Sequence, residues 1–148
     1  MITSKHLFIS IALLDISTFC TVHEVEINFS YDKPNNSLTL ILTNNTDKEI
    51  LVMNQGQLSE FSGSHIVLTE SSNEKSADLT ICLFTLESGK WILHKRLSSK
   101  RRMELFYPLD SIPTNNVTRA HLFLSTYSND EKTGKLTPKK YEKNLYID

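Results

Sequence analysis

Cysteine, glycine and proline are all scarce in this chain of 148 residues, at two, four and four. Two cysteines exclude a disulfide-dense scaffold, so an ordinary hydrophobic core must hold the fold. With so little glycine and proline, the turns are marked instead by Asn, Asp, Ser and Lys. An excess of one charge is also missing: sixteen basic residues stand against seventeen acidic, a net charge of −1. No global field therefore draws the protein to nucleic acid or to a membrane. Internal repeats are absent, as are a nucleophile elbow, a P-loop, a dinucleotide-binding glycine pattern, zinc-finger spacing and a calcium loop. No apolar run approaches the roughly 20 residues of a membrane-spanning helix. Beyond the first twenty residues no helical apolar stripe is sustained, so nothing supplies the crossover helices of an α/β fold.

What is present is alternation. In residues 37–54, SLTLILTNNTDKEILVMN, Leu38, Leu40 and Leu42 alternate with Thr39, Ile41 and Thr43. A polar cluster, residues 44–48, separates them from the apolar run 50–53. This reads as a hairpin of two antiparallel strands, the first with one buried face and the second covered on both sides. Val25, Ile27, Phe29 and Tyr31 mark an earlier strand with one buried face. Residues 55–64 read as a loop anchored by Leu58 and Phe61, 65–69 as a short strand, and 70–76 as a second loop.

Residues 78–86, DLTICLFTL, form the other strong strand signal. The run 81–84 has no wet face, which places it centrally in a sheet. Trp91, Ile92 and Leu93 open a further strand. Met103, Leu105, Tyr107 and Leu109 mark another, with Pro108 demoting its far end to an edge or an exit. Residues 119–127 follow, with Ala120, Leu122 and Leu124 facing in and His121 and Ser125 facing out. A polar connection, 128–140, leads to a last strand at 141–147.

Eight or nine short strands at about 10-residue spacing predict an all-β sandwich or barrel of one domain, residues 21–148. Residues 36–54, NSLTLILTNNTDKEILVMN, resemble the strand, Asn-rich turn and strand that open immunoglobulin-like sandwiches of exported bacterial proteins. That resemblance implies an immunoglobulin-like β-sandwich of about eight antiparallel strands and carries no functional residues. The paired core cysteines of antibody domains are absent, since only Cys82 lies within the fold.

Residues 1–20 differ in character. Lys5 and His6 precede the apolar run 7–14, LFISIALL, which Asp15 ends, as in a secretory signal peptide. Export to the cell envelope or the extracellular space is therefore expected. Residues 17–20, STFC, loosely resemble the lipobox of bacterial lipoproteins, which would make Cys20 an acylated anchor. The lipobox has a small residue where Phe19 stands.

The chemistry-bearing residues are scattered. His65, His94 and His121 occupy outward strand positions and His23 precedes the first strand, but no pair has the close spacing of metal ligands. Cys82, flanked by Ile81 and Leu83, reads as a small buried hydrophobe. Asn28, Asn35, Asn44 and Asn116 each head an Asn-x-Ser/Thr tripeptide. The one charge anomaly lies in residues 90–102, where a hairpin would bring Lys95 and Arg96 beside Lys100, Arg101 and Arg102 as a surface for an anionic partner. The expectation is a non-catalytic binding or accessory module without cofactor or metal. An enzyme inhibitor or immunity-type protein acting through its loops is the alternative, and a sugar- or metal-binding domain a third. An aromatic platform would point to sugar, clustered histidines to metal, and a protruding ordered loop to inhibition.

Overall fold

The alternation in residues 37–44 becomes a strand with one face wholly buried. The computed structural model of the protein describes residues 23–55, 63–72, 75–112 and 116–147. Its strands are β1 (Val25–Asp32), β2 (Ser37–Asn44), β3 (Ile50–Met53), β4 (His65–Ser72), β5 (Lys75–Cys82), β6 (His94–Leu97), β7 (Arg102–Pro108), β8 (Val117–Asn129) and β9 (Leu136–Tyr146), with a 3-10 turn at Leu109–Ser111. Among the described residues every strand pair is antiparallel. One sheet has the order β1-β2-β7. The other is built around β8, with β9 along one edge and β3 and β4 in line along the other. The chain passes between the sheets from β2 to β3, from β6 to β7 and from β7 to β8. The result is an all-β sandwich of two antiparallel sheets, one of three strands and one of six. Leu38, Leu40 and Leu42 of one sheet meet Val52, Ile66, Leu68, Ala120, Leu122 and Leu124 of the other in a shared core. Burying each such leucine stabilises the fold by about 1.5–3 kcal/mol.

The larger sheet contains one long hairpin broken at the same level in both arms. Met53 pairs with His94 on one side of the break, and His65 pairs with Cys82 on the other. Eleven residues separate these pairs on each arm, 54–64 and 83–93, so the register closes again unchanged. The first excursion returns so close to its start that a Cβ on Gly63 would lie 1.8 Å from the Asn54 carbonyl oxygen. Ser64 then mends the ladder. Its hydroxyl donates to the Ser125 carbonyl at 3.1 Å and accepts from the Ser125 N–H at 2.8 Å.

Several expectations are corrected. Residues 37–54 are not a hairpin: β2 pairs with β1 and β7, while β3 pairs with β6 and β8 in the opposite sheet. Asn44 is fully buried and fixes the crossing, donating to the carbonyls of Lys48 (2.7 Å) and Leu97 (3.0 Å). β3 is buried on alternate positions only. β5 is an edge strand and not a central one. Leu83 and Phe84 are buried because the chain leaves the ladder there and turns inward. Residues 91–93 are not in a strand, and β6 begins at His94.

The ladder of β4 and β5 runs on to Ser72 and Lys75, through much of the expected loop. β8 and β9 likewise extend through most of residues 128–140. Ser125 is buried, although it faces away from the core leucines. Residues 1–20, Cys20, Leu58 and Phe61 lie outside the described residues.

Candidate functional site

The two sides of the sandwich differ. On one, β9 comes against β1, where the Lys139 ammonium pairs with the Glu24 carboxylate at 2.8 Å. That hydrogen bond holds the Lys139 pKa above its ordinary value. β9 also carries Pro138 and several lysines, which discourage further pairing. On the other side β7 and β5 are both edges among the described residues, and between their ends lies an open groove of about 580 Å³. Ile81, Phe84, Leu86, Trp91, Phe106 and Ile112 supply its apolar lining, with Cys82 and Tyr107 among the other walls.

The groove exists because of the second excursion. Leu83 and Phe84 plug the core, and residues 85–91 then rise as a wall opposite β7 and the turn after it. At the tip Glu87 and Lys90 exchange backbone hydrogen bonds (3.1 and 2.9 Å), with Ser88 and Gly89 at positive φ of 51° and 72°. This is a two-residue primed hairpin turn, for which Gly89 is well suited.

Three side chains hold the wall in place. The Asn54 carboxamide bonds to Phe84 and Ile92. The Tyr107 hydroxyl donates to the Leu83 carbonyl at 2.9 Å, and burial pushes its pKa up. Lys95 pairs with Glu87 at 2.6 Å and lies 5.1 Å from the Phe84 ring centroid. The wall is thus an ordered, protruding loop, yet it leaves Leu86 57% and Trp91 38% exposed, facing a Phe106 that is 64% exposed. Cys82 is half-buried in the groove wall and not the buried core residue its apolar flanks suggested, because β5 is an edge strand. Partial burial still pushes its thiol up, which leaves it little nucleophilicity.

The basic stretch has a different geometry from the expected hairpin. β6 and β7 lie in opposite sheets, so Lys95 and Arg96 are not laddered against Arg101 and Arg102. Arg96 faces Glu49 (3.7 Å), Lys100 faces Asp47 (3.8 Å), and Arg102 bonds Glu104 (2.9 Å). Arg101 is exposed in the turn before β7.

His65 and His121 come together around Phe123, with ring centroids 4.8 and 4.0 Å away and near-parallel planes. His121 also meets Glu142 at 3.2 Å. Among the described residues no three His, Cys, Asp or Glu side chains are grouped to hold a metal. His94 and His23 are exposed elsewhere. Of the glycosylation-type asparagines, Asn44 is buried, while Asn28, Asn35 and Asn116 are exposed.

Sequence reasoning missed the groove. Its strongest signal was the solvent-side Phe106, a large aromatic at a position the alternation assigns to water. The chain matches no protein-family model, and no curated protein matches it significantly.

Proposed function

We propose that this chain is a non-catalytic binding module of the cell envelope or extracellular space that takes an apolar ligand segment in the groove between Trp91 and Phe106. The observation that carries the reading is the concentration of exposed large apolar side chains, Leu86, Trp91 and Phe106, around one concave site. Scattered surface hydrophobics need no explanation, but a contiguous patch lining a cleft does. Export rests on the pattern of residues 5–14. Mass spectrometry of protein from its native host tests it, and an intact Met1 on folded material would sink it.

Trp91 is the chain's single tryptophan, so its fluorescence reports groove occupancy directly. Titration with an apolar, environment-sensitive dye should perturb Trp91 emission saturably, and Phe106→Ser should weaken that response. A dye that binds without moving Trp91 emission refutes the site.

The ordered, stapled loop 83–93 favours a second reading, that of an inhibitor or immunity-type protein which inserts this loop into an enzyme. In that case Leu86→Asp and Leu93→Asp would abolish capture of the enzyme, while Phe106→Ser would not.

A further inference from the structure

We propose that the occupant of the groove is an extended polypeptide segment, added as a strand antiparallel to the outer edge of β7. This deepens the binding-module reading and rests on it. The backbone carries the argument first. The Asn44 N–H donates to the Arg101 carbonyl (2.9 Å), and the Leu109 N–H donates to the Asn36 carbonyl (2.9 Å). Both bonds lie in the register that pairs Ser37 with Pro108 and Thr43 with Arg102. Hydrogen bonding alternates along an antiparallel strand, so Met103, Leu105 and Tyr107 turn their backbone groups to β2. Arg102, Glu104 and Phe106 therefore turn theirs outward. There, among the described residues, no strand pairs with them.

A row of alternating donors and acceptors matches another backbone and has no use to a lipid tail. The same lane runs past Phe106 into the apolar groove. A strand placed there would turn alternate side chains toward Ile81, Phe84 and Trp91, and the others toward solvent beside Arg102, Glu104 and Phe106.

Charge then selects the segment. Arg102 and Glu104 are solvent-side neighbours paired at 2.9 Å. An antiparallel strand meets Glu104 before Arg102, so a Lys-x-Glu order with apolar x puts opposite charges across both positions. The reverse order puts like charges there. The partner is thus a segment alternating apolar and polar residues, with a basic residue two positions ahead of an acidic one.

The probes are two synthetic peptides, Val-Thr-Val-Lys-Val-Glu-Val-Thr-Val and the same sequence with Lys and Glu exchanged. Each is titrated into the full chain while Trp91 emission and residue-resolved amide exchange are followed. The first peptide should shift Trp91 emission and slow exchange at Glu104 and Phe106 by roughly tenfold or more, leaving Met103 and Leu105 unchanged because they already bond to β2. It should bind about tenfold more tightly than the second, less so at high salt. The double variant Arg102→Glu/Glu104→Arg should reverse that preference. A shift of Trp91 emission without slowed exchange at Glu104 and Phe106 overturns strand addition and leaves the groove standing. Equal affinity for both peptides overturns the antiparallel register. If neither peptide nor the apolar dye moves Trp91, the binding-module reading fails with it.

Discussion

The carboxamide of Asn54 binds both backbone groups of Phe84, accepting from its N–H at 3.2 Å and donating to its carbonyl at 3.0 Å. The same nitrogen donates to the Ile92 carbonyl at 2.9 Å. One buried side chain therefore ties together the two excursions that interrupt the long hairpin, and with them one wall of the groove. Asn54→Ala would leave those three groups without partners in a site that is 3% exposed. The expected loss is about 2–4 kcal/mol, read from the midpoint of a urea titration. Asn54→Asp should be no better, because a carboxylate would face two carbonyl oxygens.

Gly63 should resist substitution for a steric reason. A Cβ there would lie 1.8 Å from the carbonyl oxygen and 2.4 Å from the carbonyl carbon of Asn54, and neither backbone atom can move away alone. Gly63→Ala should lower thermal stability far more than Gly134→Ala, where nothing lies within 4 Å and only the positive φ of 67° resists. Similar melting temperatures for the two variants would contradict the close crossing.

The face assignment of β2 is testable by contrast. Leu40 is fully buried, so Leu40→Ala should cost about 2–5 kcal/mol. Leu83→Ala should fall in the same range, although Leu83 lies outside any strand. Thr39 is on the opposite face of β2, and its change to Ala should cost about 0.5 kcal/mol or less. Equal denaturation midpoints for the Leu40 and Thr39 variants would refute the assignment.

Stability should fall on the alkaline side through Tyr107. Burial raises its pKa above the ordinary value of 10.0, so the unfolded chain gives up this proton first. The contribution is fully present below about pH 10 and is lost as pH rises beyond it. Tyr141, also raised chiefly by burial, acts with the same sign. Tyr107→Phe should lose about 1 kcal/mol at neutral pH with the bond to Leu83, and should show a shallower decline above pH 10. Identical alkaline slopes in wild type and variant would remove Tyr107 as the source.

Changing Arg96, Arg101 and Arg102 together to Ser should leave the fold intact. These side chains are exposed, and Arg96 and Arg102 pair with the exposed carboxylates of Glu49 and Glu104, which adds little. Circular dichroism and a urea titration would check this. The same variant tests the proposal that Lys95, Arg96, Lys100, Arg101 and Arg102 face an anionic partner. Capture of that partner should weaken, most at low salt, and unchanged capture at low salt would refute it.

Which residues face inward was legible in the sequence wherever strands alternate. Leu38, Leu40 and Leu42, and again Ala120, Leu122 and Leu124, are buried as their spacing requires, because successive side chains of a pleated strand point to opposite faces. The unbroken apolar run 81–84 misled for a physical reason. Ile81 and Cys82 end an edge strand, whereas Leu83 and Phe84 are covered because the backbone changes direction. One-dimensional hydrophobicity cannot separate burial between layers from burial by a turn.

The sequence by itself determined an all-β chain, its strand faces and its turn-forming clusters, since these depend on residues a few positions apart. Only the tertiary structure decided which strands pair. The cluster at 44–48 could close a hairpin or cross between sheets. The choice rests on the bond from Asn44 to the carbonyl of Leu97, fifty-three residues away in the chain. The groove belongs to the same class. Trp91 and Phe106 stand on segments attached to opposite sheets, and they face one another only because Asn54 and Tyr107 hold the intervening loop against the open side of the sandwich.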